Sequence, residues 1–232
     1  MASSVRNMLA YALLLLGYCS YAQTVSPVIL EYKGKAEGSI ALTNNTPIPL
    51  VVVLEPRSFS ITPDGSGVYR PLDPKIHVRL SSMSSRINPG QTYYVFYKAK
   101  ADTLPAWFTI YSTFSPVGNK SRLDIRILLP HTVYIYPRKP QSKNDLVEVT
   151  QATYFREAGK IVCEIANNTV DLERVEEIRI ASKSNSIKLP GFPLLPGTKR
   201  HLEVDWTQKV PPREIVLLMD RSTVKLQLRG SN

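Results

Sequence analysis

The chain has 232 residues, and its 29 lysines and arginines outnumber its 19 aspartates and glutamates, for a formal net charge of +10. This length allows one large or two medium domains, each able to bury a core. The positive charges form no arginine-rich tract or nucleic-acid motif, so nucleic acid is excluded as a partner and acidic or carboxylate-bearing partners are favoured.

Residues 1–22 have the composition of a secretory signal peptide. One positive charge, Arg6, precedes an apolar run over residues 8–17, and Ser20-Tyr21-Ala22 forms a small-x-small cleavage pattern. The apolar run is too short to cross a bilayer, so we expect an exported protein without membrane insertion. Cleavage would leave Cys163 alone, and export without a disulfide bond is typical of a bacterial periplasm.

The first half of the chain reads as short alternating segments separated by proline, glycine and asparagine turns, the pattern of an all-β protein. The predicted strands cover residues 25–32, 39–44, 49–54, 75–80, 86–88, 92–98, 107–114 and a long segment from 123 to 136. About seven or eight strands in roughly 115 residues indicate one immunoglobulin-like sandwich.

The long segment places large aliphatic side chains at every second position. They are Leu123, Ile125, Ile127 and Leu129. Pro130 interrupts the segment, and a proline inside a strand favours a sheet edge or a bulge. Two interpretations remain at this point: the aliphatics fill the core of their own domain, or the strand stays open to pair with a strand of a partner.

A polar, proline-bounded stretch over residues 137–145 predicts a domain boundary, which we place between residues 139 and 140. The second half repeats the pattern, with turns that include residues 188–191. Its predicted strands cover residues 146–152, 160–166, 175–181, 199–206, 213–219 and 223–229. The predicted fold is therefore two immunoglobulin-like β-sandwiches, residues 23–139 and 140–232, after a cleaved signal peptide.

Both halves contain a strand that ends in Asn-Asn-Thr, at residues 44–46 and 167–169. We interpret these tripeptides as turns, and their repetition indicates two related sandwiches.

The sequence contains no recognisable catalytic motif. His77, His131 and His201 are isolated in the sequence, no metal-ligand spacing occurs, and Gly65-Ser66-Gly67 is not a nucleophile elbow. Cys163 shares a strand face with two isoleucines, which predicts a small buried side chain rather than a nucleophile. We therefore expect no enzyme, no catalytic residue, no metal and no cofactor.

Several segments resemble the periplasmic pilus-assembly chaperones, the PapD-like family, and the resemblance covers most of the mature chain. The matching segments are residues 28–30, 38–45, 86–90, 103–111, 123–137 and 195–197. The family's long seventh strand matches the segment that begins at Leu123. The order and spacing of these segments after a signal peptide make the resemblance specific.

The resemblance implies a periplasmic chaperone that binds pilus or fimbrial subunits and lends them its edge strand during fibre assembly. Leu123, Ile125, Ile127 and Leu129 would then be the subunit-binding side chains. An outer-membrane usher is a further implied partner. The alternatives are a secreted structural or adhesive sandwich without chaperone activity and, with the least support, a secreted enzyme.

The sequence departs from the family where a subunit's terminal carboxylate is held. The family uses one basic residue in its first strand and one late in its seventh, and these positions fall near Pro27 or Val28 and near Thr132, none of which is basic. The remaining carboxylate-anchor candidates are Arg126, Arg138 and Lys33. Because Arg126 lies on the long strand itself and Arg138 follows its end, they are the expected pair.

Overall fold

The computed structural model describes residues 22–117, 126–141, 147–220 and 222–231. Within these ranges the chain forms eighteen strands and no helix. The strands are β1 (Gln23–Ser26), β2 (Ile29–Lys33), β3 (Ala36–Asn44), β4 (Leu50–Ile61), β5 (Gly67–Pro71), β6 (Ile76–Leu80), β7 (Ser84–Ile87), β8 (Thr92–Ala101), β9 (Ala106–Pro116), β10 (Ile127–Tyr136), β11 (Val147–Phe155), β12 (Lys160–Asn167), β13 (Glu173–Ala181), β14 (Ser186–Leu194), β15 (Lys199–Asp205), β16 (Glu214–Met219), β17 (Thr223–Gln227) and β18 (Arg229–Ser231).

The first ten strands form one sandwich. One sheet has the order β1-β3-β8-β6, and the facing sheet has the order β2-β10-β9-β4-β5, with β7 paired to β4. Alternate side chains of both sheets meet in a core whose fully buried members include Phe108, Phe114 and Ile40. This is the packing expected of two sheets that each turn one apolar face inward.

The last eight strands form a second sandwich from sheets β15-β12-β11-β18 and β14-β13-β16-β17. Its core includes Trp206 and Cys163, so the predicted burial of this cysteine is confirmed. The predicted fold class, two all-β sandwiches, is also confirmed. The strands divide between Tyr136 and Val147, while the exact domain limits at 139 and 140 stay a prediction.

Two predicted elements are wrong, and proline explains both. Residues 25–32 form two strands in different sheets, with the change of sheet at Pro27, which has no N–H to continue a ladder. The predicted turn at residues 188–191 lies inside β14. That strand is a sheet edge, where Pro190 and Pro193 can sit without breaking an interior ladder.

Several predictions fall outside the described residues. These are nearly the whole signal peptide, residues 1–21, and the side chains of Leu123 and Ile125. In the part of the chain that the structure does describe, no helix is long and apolar enough to span a membrane.

The Asn-Asn-Thr tripeptides form the same turn in both sandwiches. The Asn44 side-chain amide donates to the carbonyls of Ile48 (2.8 Å) and Ile87 (3.0 Å), and its oxygen accepts from the backbone and hydroxyl of Thr46. Asn44 is completely buried, so its side chain supplies hydrogen-bond partners to backbone groups of the turn that water does not reach.

Asn167 repeats this arrangement in the second sandwich. Its amide donates to the carbonyls of Asp171 and Leu194, both at 3.0 Å, and its oxygen accepts from the backbone N–H and the hydroxyl of Thr169. Asn167 is also completely buried. The predicted turns are therefore present in both sandwiches, with the same asparagine bonding pattern.

The two sandwiches contact each other through an apolar cluster. Phe59 and Tyr134 of the first sandwich pack with Leu172 and Leu195 of the second, and all four side chains are buried. A second contact comes from the β4–β5 turn, where the Pro63 carbonyl accepts from the His201 N–H at 2.7 Å.

Candidate functional site

Strand β10 is the element on which the predicted site depends. It pairs antiparallel with β9 over Ile127–Ile135, and parallel with β2 only over Thr132–Tyr136. Among the described residues, the segment from Ile127 to Pro130 therefore has a hydrogen-bonded strand partner on one side only. Strand β2 covers the second half of β10, so the open edge is limited to the first half, where Ile127 and Leu129 lie.

The direction of the open edge follows from one hydrogen bond. The Thr132 N–H donates to the Val28 carbonyl at 2.7 Å, on the side of β2. Backbone groups alternate in direction along a strand, so Leu128 and Pro130 direct theirs to this same side, beyond the end of β2. Pro130 has no N–H, so this edge offers a carbonyl without a donor at that position.

The side chains of the open segment alternate as the sequence predicts. Ile127 and Leu129 are half-buried and pack against the rim of the first core, in phase with the buried Val133 and Ile135. Leu128 points to the opposite face and is 53% exposed. Ile127 and Leu129 thus combine partial exposure with an open backbone edge.

Of the three predicted anchors, the structure brings together Lys33 and Arg138. Both line a cleft of about 300 Å³ between the sandwiches, because β2 runs alongside β10 and pairs Lys33 with Tyr136. Gly34, at φ +85°, lets the Arg138 side chain lie close, since a Cβ there would be 3.1 Å from Nε. Arg126 precedes the other end of β10, roughly 30 Å away at the rise of a strand.

The cleft carries more negative than positive charge. Five carboxylates and three cations line it: Glu31, Asp171, Glu173, Glu176 and Asp220 with Lys33, Arg138 and Arg174. Glu31 and Arg174 form an ion pair at 2.7 Å that joins the two sandwiches. The remaining carboxylates would oppose a bound anion, so any anchor here is weaker than two unopposed cations.

The positions compared with the family's basic residues do lie side by side, since Thr132 donates its N–H to Val28. A largely buried network of neutral side chains lies next to them. His131 Nδ1 donates to the Pro27 carbonyl at 2.6 Å, and Nε2 lies 3.1 Å from the Tyr97 hydroxyl, which lies 2.9 Å from the Tyr32 hydroxyl. A neutral imidazole satisfies this series of hydrogen bonds: the Tyr32 hydroxyl donates to the Tyr97 hydroxyl, which donates to Nε2 of His131. Sequence reasoning missed this role, although His131 is in phase with Val133 and Ile135.

Burial lowers the pKa of His131, although the bond to the Pro27 carbonyl opposes this shift. The unfolded chain therefore binds a proton more readily than the folded one below about pH 6.5. We expect the contribution of His131 to the free energy of unfolding to be constant above that pH. This contribution should be lost as the pH falls through the folded-state pKa of His131. Urea unfolding at pH 7.5 and 5.5 measures the difference. The difference in free energy of unfolding between the two pH values should be smaller in His131→Gln and unchanged in His77→Gln, whose histidine is exposed. An equal decrease in both variants would contradict the assignment to His131.

The other candidate chemical groups have structural roles. Burial raises the pKa of Cys163 to about 12, so its thiol is a poor nucleophile. His77 lies 2.9 Å from Asp102 on the surface. No group of three potential metal ligands occurs among the residues that the structure describes.

No protein-family model and no curated protein sequence matches the chain. Solved structures do match. The YadV chaperone has a TM-score of 0.55 at 10% identity, over 88% of this chain and 99% of its own. The E. coli chaperone DraB has a TM-score of 0.52 at 12% identity, over 90% and 98%.

A third match is the SafB chaperone in complex with the Salmonella enterica pilin SafA, with a TM-score of 0.52 at 10% identity, over 90% of this chain and 97% of that one. The matches extend over both sandwiches and over nearly the full length of each chaperone. The chain therefore has the two-sandwich, PapD-like fold of the pilus chaperones.

Proposed function

We propose that this protein is a periplasmic chaperone that holds pilus or fimbrial subunits by lending them the first part of β10. The observation that carries the proposal is the one-sided pairing of Ile127–Pro130, with two half-buried aliphatics beside an open backbone edge. The fold likeness to chaperones, one of them bound to a pilin, supports the same function. The role requires no cofactor and no catalytic residue.

The binding physics is strand addition. A subunit strand that pairs with the open edge gains ladder hydrogen bonds from the backbone, while Ile127 and Leu129 fill apolar positions of the subunit. Leu123 and Ile125 would extend the same face by the alternation of the sequence.

The length of this edge is limited at one end. Pro130 lacks a donor and β2 occupies the next positions, so a partner strand that pairs with Leu128 must end before Thr132. This arrangement fixes the register of the partner strand. If that strand were shifted towards Thr132, it would collide with β2, and one of its carbonyls would face Pro130, which has no N–H to donate.

Lys33 and Arg138 are the proposed contacts for a subunit's terminal carboxylate, in place of the pair Arg126 and Arg138. Both line the interdomain cleft, Lys33 at the end of β2 and Arg138 two residues after the end of the adjacent β10. Because carboxylates share that cleft, we expect the double variant Lys33→Ala, Arg138→Ala to lower subunit recovery only several-fold. An outer-membrane usher is the further partner proposed for the loaded complex.

The test is periplasmic co-expression of this chain with a pilus subunit from the same genome, followed by co-purification. Ile127→Glu and Leu129→Glu should each reduce subunit recovery at least tenfold, because a buried unpaired charge is costly in the subunit core. Leu128→Glu is the matched control, since it changes a neighbouring side chain on the opposite face, and it should retain recovery. Equal recovery with all three variants would contradict the proposal and favour a structural or adhesive sandwich.

A further inference from the structure

Within the described residues, the two sandwiches meet at places that are spread across one sheet of the first sandwich. Glu31 of β2 pairs with Arg174 at one end, and Tyr134 of β10 belongs to the buried cluster further in. The turn between β4 and β5 makes a contact at the other end of the order β2-β10-β9-β4-β5. At about 4.8 Å per strand, the two outer contacts are roughly 15–19 Å apart. Since domains joined at one place can swing about it, contacts this far apart fix the angle between the sandwiches.

The contact of the β4–β5 turn comes from residues 62–66, which we call the hairpin tip. The tip is closed by its own hydrogen bond, from the Gly65 N–H to the Thr62 carbonyl at 2.8 Å. Gly65 has a φ of +92°, a conformation that favours glycine. The Pro63 carbonyl then accepts from the N–H of His201, on the edge strand β15 of the second sandwich, at 2.7 Å. The tip is therefore a preformed element that reaches across to the second sandwich.

Arg200 of the second sandwich lies against the hairpin tip. Its guanidinium carbon is 5.1 Å from the centre of the Phe192 ring, within the range of a cation–π contact. A Cβ added at Gly65 would overlap the same guanidinium group. Arg200 and Phe192 belong to β15 and β14, which are edge strands of the two sheets of the second sandwich. The tip thus sits where these two edges meet.

The contact at Arg200 leaves one polar group unsatisfied. Nε of Arg200 is buried and has no hydrogen-bond partner in the part of the chain that the structure describes. A buried donor without a partner costs free energy of the same order as one hydrogen bond contributes. The bond from His201 to Pro63 and the ring contact offset this cost, while opening the contact would let water reach Nε. The closed and open forms of this contact are therefore close in free energy.

We propose that the hairpin tip is a latch. Closed on Arg200, it holds the sandwiches at the observed angle; open, it lets the second sandwich rotate about the connection that follows Tyr136. This connection leaves the sheet from β10, three strand positions from β5, so the latch acts at a distance from the pivot. Rotation would change the width of the interdomain cleft of about 300 Å³. The latch would act on this angle whether or not β10 holds a subunit.

The N–H of His201 reports directly on the latch. Its hydrogen bond crosses to Pro63, whereas the next N–H along β15, that of Leu202, points the other way to β12. Hydrogen exchange of the ¹⁵N-labelled chain, followed by NMR and expressed as protection factors, separates the two amides. In the unchanged chain, His201 should be protected, but about tenfold or more less than Leu202, because the latch opens without unfolding of the second sandwich.

Arg200→Ala and Gly65→Ala disturb the latch from its two sides. Each should lower the protection factor of His201 about tenfold further and leave that of Leu202 unchanged, as expected for the loss of one contact. Each should also increase the radius of gyration measured by small-angle X-ray scattering, because the sandwiches then sample wider angles.

The matched controls are Arg179→Ala, at an exposed arginine of β13, and Gly230→Ala, where an added Cβ has no neighbouring atom within 4 Å. Both should leave the protection factor of His201 and the radius of gyration unchanged.

Equal protection of His201 and Leu202 in the unchanged chain and the variants would overturn the proposal, because the contact would then open only when the second sandwich unfolds. An unprotected His201 in the unchanged chain would overturn it as well. So would faster exchange in Arg200→Ala at an unchanged radius of gyration, or an effect of Gly65→Ala alone, which would trace to the turn itself. Subunit recovery enters none of these measurements, so this test and that of β10 fail independently.

Discussion

Asn167→Ala is expected to lower the free energy of unfolding of the second sandwich by about 3 kcal/mol. The substitution removes the amide that donates to the carbonyls of Asp171 and Leu194 and the oxygen that accepts from Thr169. Because the site is buried, water cannot replace these bonds without opening the turn. The loss is large since several backbone groups depend on one side chain.

The measurement is urea unfolding followed by the fluorescence of Trp206, which is buried in the second core, in a Trp107→Phe background. Asn168→Ala is the matched control. The Asn168 side chain is next in sequence but exposed, so the urea midpoint of unfolding should hardly change. A midpoint for Asn167→Ala equal to that of the control would show that the turn does not depend on the asparagine. Asn44→Ala should have a comparable effect on the first sandwich, which has the same turn.

Gly191→Ala is expected to cost about 3 kcal/mol, at the upper end for overpacking. A Cβ at this position would lie 1.8 Å from the Val175 carbonyl oxygen, and this neighbour is backbone that cannot rotate away. The β13–β14 register is unbroken here, with Val175 paired to Phe192 and Glu177 to Pro190, so Gly191 lies opposite Glu176. On its other side β13 has an irregular register with β16 between Val175 and Glu177. Relief of the clash requires β14 to separate from β13 over several residues.

The same fluorescence assay measures this effect, and amide hydrogen exchange along β14 should become faster in the variant. Gly230→Ala is the matched control, because a Cβ added at Gly230 would have no neighbouring atom within 4 Å. An unchanged midpoint in Gly191→Ala would mean that the two strands do not approach each other as closely as described.

The alternation of apolar residues was enough to predict the fold class. Segments with period two, broken by proline and glycine, indicated two sandwiches, and the position of Cys163 between isoleucines predicted its burial. The repeated Asn-Asn-Thr pattern predicted two equivalent turns, because an asparagine side chain bonds to backbone only a few residues away. These features are local, so the sequence by itself determined them.

The state of the long strand was decided by tertiary structure. Periodicity showed that Ile127 and Leu129 share a face, but it carries no information about which strand lies alongside. The pairing of Thr132 with Ile29 joins residues far apart in the chain, and it closes one half of the edge while leaving Ile127–Pro130 open.

Tertiary structure also decided which of the anchor residues lie together. Arg126 and Arg138 flank the strand in sequence, yet β10 holds them at opposite ends, and Lys33 joins Arg138 only because β2 pairs in parallel. Side-chain alternation is a property of a single segment, so the sequence alone predicts it. The neighbours of a strand across a sheet depend on long-range hydrogen bonds, which form only in the folded chain.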